Sequence, residues 1–423
     1  MSHRRPKVIA ISACVVIGIV NIFNVVRGLQ PPITAQKDFI QEYLLAQAVI
    51  TGLRPYDPLP TLAQTRLGTV PYSVFPHPTP HPPPVILLAL PFGLFTYPQA
   101  ATLWLLLELT CLYAVCRLLV TRYLGINNRL VPVLLSLGLC SSFPFRVELE
   151  VGQLMVPMLL PLTGAWLALR RNRDAVGGAL LALPLAMKFI GWPLILFLIW
   201  RKRWRAVFWT GVTFILANLA STAIIGTNQS VYYYRDVAPL VSRLYRSEFL
   251  NFSTWAIGYR LFAGSSNLLD SPNAPPLFDW PMFAPYLSVV VTAAVLFLAL
   301  WLAHTSPNFE TSAAVLICAS VVVNPIAWHH YLVLLLIPCA VTFRRLARSS
   351  FPRRLTLAAV LIGLTLMLPQ LDRLVSFMAV GDPPTVPGPV GLLAFVPLGS
   401  ALALMVLVWH ASRSLSQTGE EVA

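Results

Sequence analysis

The sequence predicts an all-α polytopic membrane protein. Hydrophobic residues make up 57% of the 423 residues and charged residues only 11%, whereas about one quarter of the residues in a soluble domain are charged. Apolar runs recur from residue 8 to residue 410. Since a bilayer needs roughly 20 apolar residues for each helical span, we predict about 10–12 transmembrane helices. This pattern excludes a soluble enzyme, a secreted disulfide scaffold and a nucleic-acid-binding domain.

The distribution of charge predicts how the chain crosses the membrane. The formal net charge of +14 comes from 30 Lys and Arg against 16 Asp and Glu. The cations form small clusters between the apolar runs, which is typical of cytoplasmic loops that face anionic lipid. We therefore predict that both termini are cytoplasmic and that the polar chemistry lies on the outer face. The expected partner is the lipid bilayer, and no nucleic acid is expected.

The predicted spans divide the chain into three parts. Residues 1–226 form an N-terminal transmembrane module with a first outer loop at 28–84, residues 227–284 form a second outer segment, and residues 285–423 form a C-terminal transmembrane module. The last module is expected to cross the membrane at 285–304, 311–324, 330–343, 355–369 and 389–410.

The first outer loop contains a candidate catalytic carboxylate. Residues 38–51 are predicted to form an amphipathic helix on the membrane, because apolar residues such as Phe39 and Tyr43 share a face at helical spacing. Gly52 is a suitable residue to end this helix. Asp38 stands at its N-terminus, where it is either a helix cap in water or a base placed to deprotonate a hydroxyl acceptor.

A proline-rich segment at 75–84 carries His77 and His81. Dense prolines make a chain extended and stiff, so this segment could line a groove. Two histidines in a loop, with no carboxylate predicted beside them, are weak evidence for a metal site. A structural role for this segment is favoured instead. No metal site is therefore predicted.

Lys188 is a lone cation between two apolar half-spans within residues 175–200. In the predicted topology that stretch has to leave the inner face of the membrane and return to it. This predicts two short broken helices with Lys188 near their tip. An intramembrane cation is functional by default, although a lysine side chain can also reach the headgroups. Nearer the N-terminus, Arg146, Glu148 and Glu150 are expected in a short outer loop where their charges pair.

Polar residues also surround a proline break near residue 325. Asn324, Trp328, His329 and His330 lie where one apolar run ends and the next begins. They either form a phosphate-binding pocket or belong to an interfacial aromatic belt.

Several short motifs, each weak alone, occur together in the order of one enzyme family. They are Asp38-Phe39 with Tyr43 and Gly52-x-x-Pro55-Tyr56, then Pro82-Pro83 and Ala101-x-x-Trp104, then Gly152-Gln153 with Arg170-Arg171 and Lys188, and finally Trp328-x-His330. With them the chain resembles the polyprenyl-phosphate-mannose-dependent α-mannosyltransferases of glycosyltransferase family 87. The resemblance implies the C-type glycosyltransferase architecture, with interfacial helices in the first outer loop.

The resemblance also implies a reaction. A sugar, mannose in the first instance, would pass with inversion from a polyprenyl-phosphate-linked donor to a hydroxyl of a glycolipid or glycan acceptor at the outer face of a bacterial-type plasma membrane. Asp38 maps onto the catalytic base of the family, and His330, with His329 beside it, maps onto the donor-phosphate histidine. Lys188 is also expected to bind the donor phosphate. Other expected substrate-binding residues are Tyr43, Tyr56, His81, Gln153, Asn324 and Trp328, and no cofactor is expected.

Three departures from the family pattern put the identity of the sugar in question. His81 precedes the paired prolines where an aromatic residue is usual, Asn324 stands where serine is common, and Tyr331 replaces a second histidine found in some members. Polyprenyl-phosphate-arabinose is therefore an alternative donor. The competing classes are a transporter or flippase, for which Glu108 is the only mid-span acidic residue predicted, and a scaffold subunit, which would not require Asp38.

Overall fold

The structure is a computed structural model. It describes residues 4–30, 37–71, 74–266, 268, 271–348, 357, 360, 362–363, 375 and 377–417. Within these residues the backbone is helical or irregular, and extended pairing is limited to three isolated bridges. The all-α class is confirmed. The expected pass at 355–369 lies almost wholly outside the described residues.

The chain folds into two compact units, Met1–Phe189 with Phe208–Val241 and Ile190–Val207 with Ser242–Ala423. The helices of the first unit are α1 (Arg4–Arg27), α2 (Ile40–Ile50), α3 (Leu59–Leu67), α4 (Ile86–Ala89), α5 (Tyr97–Arg117), α6 (Leu130–Leu139), α7 (Phe143–Val151), α8 (Met155–Arg170), α9 (Asp174–Lys188) and α12 (Thr227–Tyr232). Those of the second unit are α10 (Trp192–Trp200), α14 (Thr254–Phe262), α15 (Ala284–His304), α16 (Phe309–Val322), α17 (Leu336–Arg348), α18 (Gly388–Gly391) and α19 (Val396–Gln417). Two further helices, α11 (Trp204–Ile225) and α13 (Ala238–Arg246), contribute residues to both units.

Shorter turns join these helices. Tight 3₁₀ turns occur at Pro83–Val85, Leu90–Leu94, Pro281–Phe283, His329–Leu335 and Leu392–Phe395, and wider π-helical turns occur at Leu118–Tyr123 and Tyr233–Val237. Within the first unit α8 packs on α9 and α5, and α1 packs on α6. In the second unit α16 is buried from Glu310 to Val322 between α15, α17 and α19.

Several helices are long and apolar enough to span a bilayer. Among the described residues these are Tyr97–Tyr123, Trp204–Ile225, Pro281–His304 and Gly388–Arg413, and the pair α6 and α7, bent by 81°, makes a fifth if it counts as one span. Shorter apolar helices lie at Ile11–Arg27, Pro83–Leu94, Met155–Arg170 and Phe309–Val322. The polytopic class is confirmed, while the total of about 10–12 spans stays a prediction.

The helix predicted in the first outer loop is present as α2. It ends where Gly52 adopts a φ of +71°, a left-handed conformation that glycine takes without strain. Its side chains from Ile40 to Ala48 are buried, because α3, α4, α5 and the turn Leu90–Leu94 pack around it. The helix is therefore buried on all sides instead of along one apolar face.

The break predicted near Lys188 is confirmed. Helix α9 ends at Lys188, and both Phe189 (φ 54°) and Gly191 (φ 81°) adopt left-handed conformations before α10 begins at Trp192. Two left-handed residues separated by a single residue stop a span that would otherwise continue.

The expected short outer loop at residues 146–150 is wrong, since these residues form most of α7. Ser142 is extended and Pro144 lies in the first turn, which is a common helix start. The charges pair only in part. Arg146 Nε lies 3.6 Å from Glu150 Oε1, but Glu148 is buried and accepts a hydrogen bond from Val156 N, 2.7 Å away, in the first turn of α8.

Packing in the second unit depends on a glycine contact. A Cβ atom on Gly258 of α14 would lie 2.0 Å from Ala284 O and 2.6 Å from Ser288 Oγ of α15. Because cores cannot absorb such overlap without backbone shifts, we expect Gly258→Ala to destabilise the protein by about 1–3 kcal/mol.

The melting temperature of purified Gly258→Ala in one detergent measures this effect. Gly211→Ala is the matched control, because a Cβ there meets no atom within 4 Å and alanine favours a helix by up to about 1 kcal/mol. We expect the first variant to melt below wild type and the control to melt at or above it. Equal melting of the two variants would contradict the close approach of α14 and α15.

Candidate active site

The chain just before α2 is fixed to the C-terminal end of α7. The backbone N–H of Phe39 donates to Val151 O at 3.1 Å. Lys37 Nζ donates to Leu149 O at 3.1 Å and to Glu150 O at 2.6 Å. The last carbonyl groups of a helix have no partners within it, so these bonds satisfy three of them. They also set the position of the residue between the two donors, Asp38.

Aromatic packing reinforces this placement. Phe39 is fully buried, and its ring stacks on Trp104 at 4.7 Å and on Tyr97 at 6.2 Å between centroids. Gly152, the residue after α7, has a φ of +69°, and a Cβ there would lie 3.0 Å from Phe39 Cβ. Glycine is therefore required both for the turn and for the close approach of Phe39.

The structure brings Asp38, Gln153 and Lys188 together. Gln153 Nε2 donates to Asp38 Oδ2 at 2.8 Å, and Lys188 Nζ donates to Gln153 Oε1 at 3.2 Å. The amide of Gln153 thus lies between the carboxylate and the ammonium group, with its orientation set by both. These three residues were predicted from separate parts of the sequence.

The surroundings of Asp38 make it a stronger base than an ordinary aspartate. Burial raises the pKa of Asp38, and the carboxylate of Glu42 adds to this rise. The hydrogen bond from Gln153 and the positive charge of Lys188 oppose it. The residue still keeps part of its surface exposed, so a ligand can reach it. Helix α2 is capped by Phe39 without a side-chain hydrogen bond, so the interpretation of Asp38 as a helix cap is wrong.

Glu42 and His81 form a close buried pair beside this group. His81 Nε2 lies 2.8 Å from Glu42 Oε1, and the two side chains are 2% and 1% exposed. The pair attaches the proline-rich segment to α2. Sequence reasoning missed Glu42, although it stands four residues after Asp38 in the helix predicted at 38–51, where residues at that spacing share a face.

Tyr43 and Tyr56, expected to bind substrate, bind backbone carbonyl groups. Tyr43 Oη donates to Phe95 O at 3.1 Å, and Tyr56 Oη donates to His81 O at 3.1 Å. Both side chains are buried, and burial raises the pKa of the Tyr56 hydroxyl. This geometry favours a framework role, and their assignment to substrate stays a prediction.

The remaining predicted residues lie in the second unit, on the segment around Pro325. Asn324 and His330 are buried. The Trp328 ring packs edge-on against Tyr245 at 5.9 Å, and the His329 ring packs against Phe252 at 5.8 Å. Their assignment to the donor phosphate or substrate stays a prediction.

Asn251 stabilises this segment, and sequence reasoning missed it. Its Nδ2 donates to Pro325 O at 3.1 Å, and its Oδ1 accepts from Ala327 N at 3.0 Å. Ser253 Oγ also donates to Pro325 O at 3.1 Å. A fully buried asparagine with both ends of its amide engaged fixes the turn that leads into Trp328.

These features define a polytopic helical membrane protein with a partly buried polar cluster around a carboxylate. The family model of glycosyltransferase family 87 matches residues 80–325, more than half of the chain. The chain belongs to glycosyltransferase family 87 and is a membrane glycosyltransferase. No curated protein and no solved structure matches it. Gln153 and Lys188 lie inside the matched range, whereas Asp38 and His330 lie outside it.

The pair of Glu42 and His81 can be tested by its effect on stability. His81→Leu leaves the buried Glu42 carboxylate without its nearest partner, and breaking a buried pair in this way costs about 3–5 kcal/mol. Replacing both residues by leucine removes the charge as well. We therefore expect the melting temperature of the double variant to exceed that of His81→Leu.

Asp236→Asn provides the control, because Arg235 and Asp236 form a pair whose side chains are 73% and 41% exposed. Exposed pairs contribute about 0–1 kcal/mol, so this variant should melt close to wild type. A double variant less stable than His81→Leu would show that Glu42 and His81 do not form a coupled pair.

Proposed function

We propose that this protein transfers a sugar, mannose in the first instance, from a polyprenyl-phosphate donor to a hydroxyl of a glycolipid or glycan acceptor. The reaction inverts the configuration at the anomeric carbon and uses Asp38 as the base. It takes place at the outer face of a bacterial-type plasma membrane. The observation that carries the proposal is the arrangement of Asp38, Gln153 and Lys188.

The chemistry assigns a different task to each of these groups. Asp38 accepts the proton of the acceptor hydroxyl as that oxygen attacks the anomeric carbon. The bond between this carbon and the phosphate oxygen breaks, and its electron pair leaves with the lipid phosphate. Lys188 offsets the negative charge that builds on this phosphate. His330, with His329, is assigned to the same phosphate by the family resemblance.

The neutral amide of Gln153 suits this division of tasks. A direct bond between Asp38 and Lys188 would stabilise the ionised carboxylate and lower its pKa, which would weaken it as a base. With Gln153 between them, Asp38 keeps a pKa raised by burial, while the positive charge of Lys188 still contributes to the site. Both the base and the cation are thus preserved within one small cluster.

A lipid-linked donor also explains why the site belongs to a membrane protein. The prenyl chain stays in the bilayer while its phosphate and sugar lie at the surface, so catalysis is required at the interface. Asp38 belongs to the predicted first outer loop and Lys188 to the break between two apolar helices. Both positions suit a substrate whose polar end is held at the membrane surface.

Transfer by purified protein in nanodiscs tests the proposal. Given synthetic polyprenyl-phosphate-mannose and membrane glycolipid acceptors, wild type should transfer the sugar. Asp38→Asn should lower the rate at least about a hundredfold, because the amide cannot accept the proton. Asp57→Asn, the same change elsewhere in the loop, serves as the control and should transfer normally.

Each other outcome has a distinct meaning. Equal transfer by Asp38→Asn and wild type would assign the base to another residue. Transfer from the arabinose donor alone would replace the proposed sugar. No transfer from either donor by folded protein would favour the transporter or flippase class.

The pH dependence of transfer tests the role of Gln153. Only ionised Asp38 accepts a proton, so the rate should fall as the pH drops through the pKa of Asp38. Burial raises that pKa above its ordinary value of 3.8. Gln153→Met removes the hydrogen bond that holds the pKa down, so the acid limb should move to higher pH. An acid limb at the wild-type position would exclude Gln153 as a partner of the base.

A further inference from the structure

Lys37 directly precedes the proposed base, yet its side chain lies in different surroundings. It is only 5% exposed, whereas Asp38 keeps part of its surface exposed. The Nζ atom of Lys37 binds the carbonyl oxygens of Leu149 and Glu150 at 3.1 and 2.6 Å. A cation at the C-terminal end of a helix is also favoured by the helix dipole.

A buried carboxylate lies near this ammonium group. Burial lowers the pKa of Lys37, and the carboxylate of Glu108 opposes this most strongly, ahead of Glu150 and Asp38. Glu108, on α5, is fully buried, and neither of its carboxylate oxygens has a hydrogen-bond partner among the described residues. Such a group is costly to bury unless an opposite charge lies nearby. Lys37 is a cation that acts on Glu108, although no ion pair or hydrogen bond joins the two side chains among the described residues.

Four links connect Lys37 to Asp38 in a closed ring. Lys37 and Asp38 are consecutive in the chain, Asp38 accepts from Gln153, and Gln153 follows Glu150 by three residues. The carbonyl of Glu150 then accepts from Lys37. The turn at Gly152 brings Gln153 round to Asp38, so the carboxylate is positioned from both sides of its own backbone.

We propose that Lys37 is a positioning residue for Asp38. By binding the last carbonyl groups of α7, it fixes the proposed base at hydrogen-bond distance from Gln153. The buried carboxyl group of Glu108 acts electrostatically on the charge that this task places inside the protein. The inference rests on the proposed function for the identity of the base, but the positioning itself can be measured without turnover.

Steady-state kinetics of Lys37→Met provide the first test. Misplacing a catalytic group by about 1 Å can cost about a hundredfold in rate, so we expect kcat to fall about ten- to a hundredfold. Because the buried lysine does not touch substrate, KM for the donor should stay within about threefold of wild type. Lys37→Arg keeps the charge and the donors, and it should recover most of the lost rate.

A double variant separates positioning from stability. Lys37→Met removes the two bonds to the carbonyl groups of α7 and a cation that acts on the buried carboxyl group of Glu108, so this variant is expected to melt below wild type. Combining it with Glu108→Gln replaces that carboxyl group by a neutral amide and should restore part of the lost melting temperature. The hydrogen bonds to α7 are still absent in the double variant, so its kcat should stay low. If Lys37→Met does not fold, kcat and KM are measured on the double variant instead.

Hydrogen exchange gives a readout that does not require sugar transfer. The amide of Phe39 donates to Val151 O in the intact protein. We expect its exchange to accelerate in Lys37→Met and in the double variant, and to remain slow in Lys37→Arg. Asp57→Asn is the control and should leave this amide protected.

The possible failures are distinguishable. If wild type transfers no sugar but the amide of Phe39 exchanges faster in Lys37→Met and in the double variant, the proposed function fails and the positioning by Lys37 stands. If wild type transfers sugar and the double variant regains the full rate, Lys37 serves only to neutralise Glu108, and the proposal is overturned. Unchanged exchange at Phe39 in both variants would overturn it as well.

Discussion

The contact between residues 37–39 and the C-terminal end of α7 is the constraint on which the site depends. The last carbonyl groups of α7 have no hydrogen-bond donors within the helix, and residues 37–39 supply these donors. Both segments are stabilised by the contact. Helix α7 gains donors for Leu149, Glu150 and Val151. The chain that leads into α2 gains a fixed position.

The titratable side chains around this contact each have a polar partner or a charged neighbour. Glu42 faces His81, Lys37 lies in the field of Glu108, and Glu148 accepts from the first turn of α8. The partner of Asp38 is the neutral amide of Gln153, which lies between this carboxylate and Lys188. A carboxylate that is held in place without a cation in direct contact keeps its basicity, which is the property a general base needs.

The all-α polytopic class, α2 and the break after Lys188 were predictable, because hydropathy, proline and glycine act locally. Asp38, Gln153 and Lys188 were singled out from family motifs and from the position of a lone cation, and their roles in the reaction stay predictions. The bond from Gln153 to Asp38 was not predictable, since it joins residues 115 positions apart through a turn that depends on Gly152. Burial of α2 on all sides also escaped prediction, because its sequence does not record that α3, α4 and α5 surround it. Glu42 and Asn251 look like ordinary polar residues until their partners are known.

The length of helix α7 also determines the geometry of the site. The groups that hold the chain before α2 are main-chain carbonyls, which every amino acid supplies, so their positions depend on the number of residues in the helix more than on their identity. Inserting one residue would advance the end of α7 by about 1.5 Å and rotate it by about 100°. Gln153 would then face away from Asp38 even though every side chain of the site was still present. The length of this helix is therefore as much a part of the site as its polar residues.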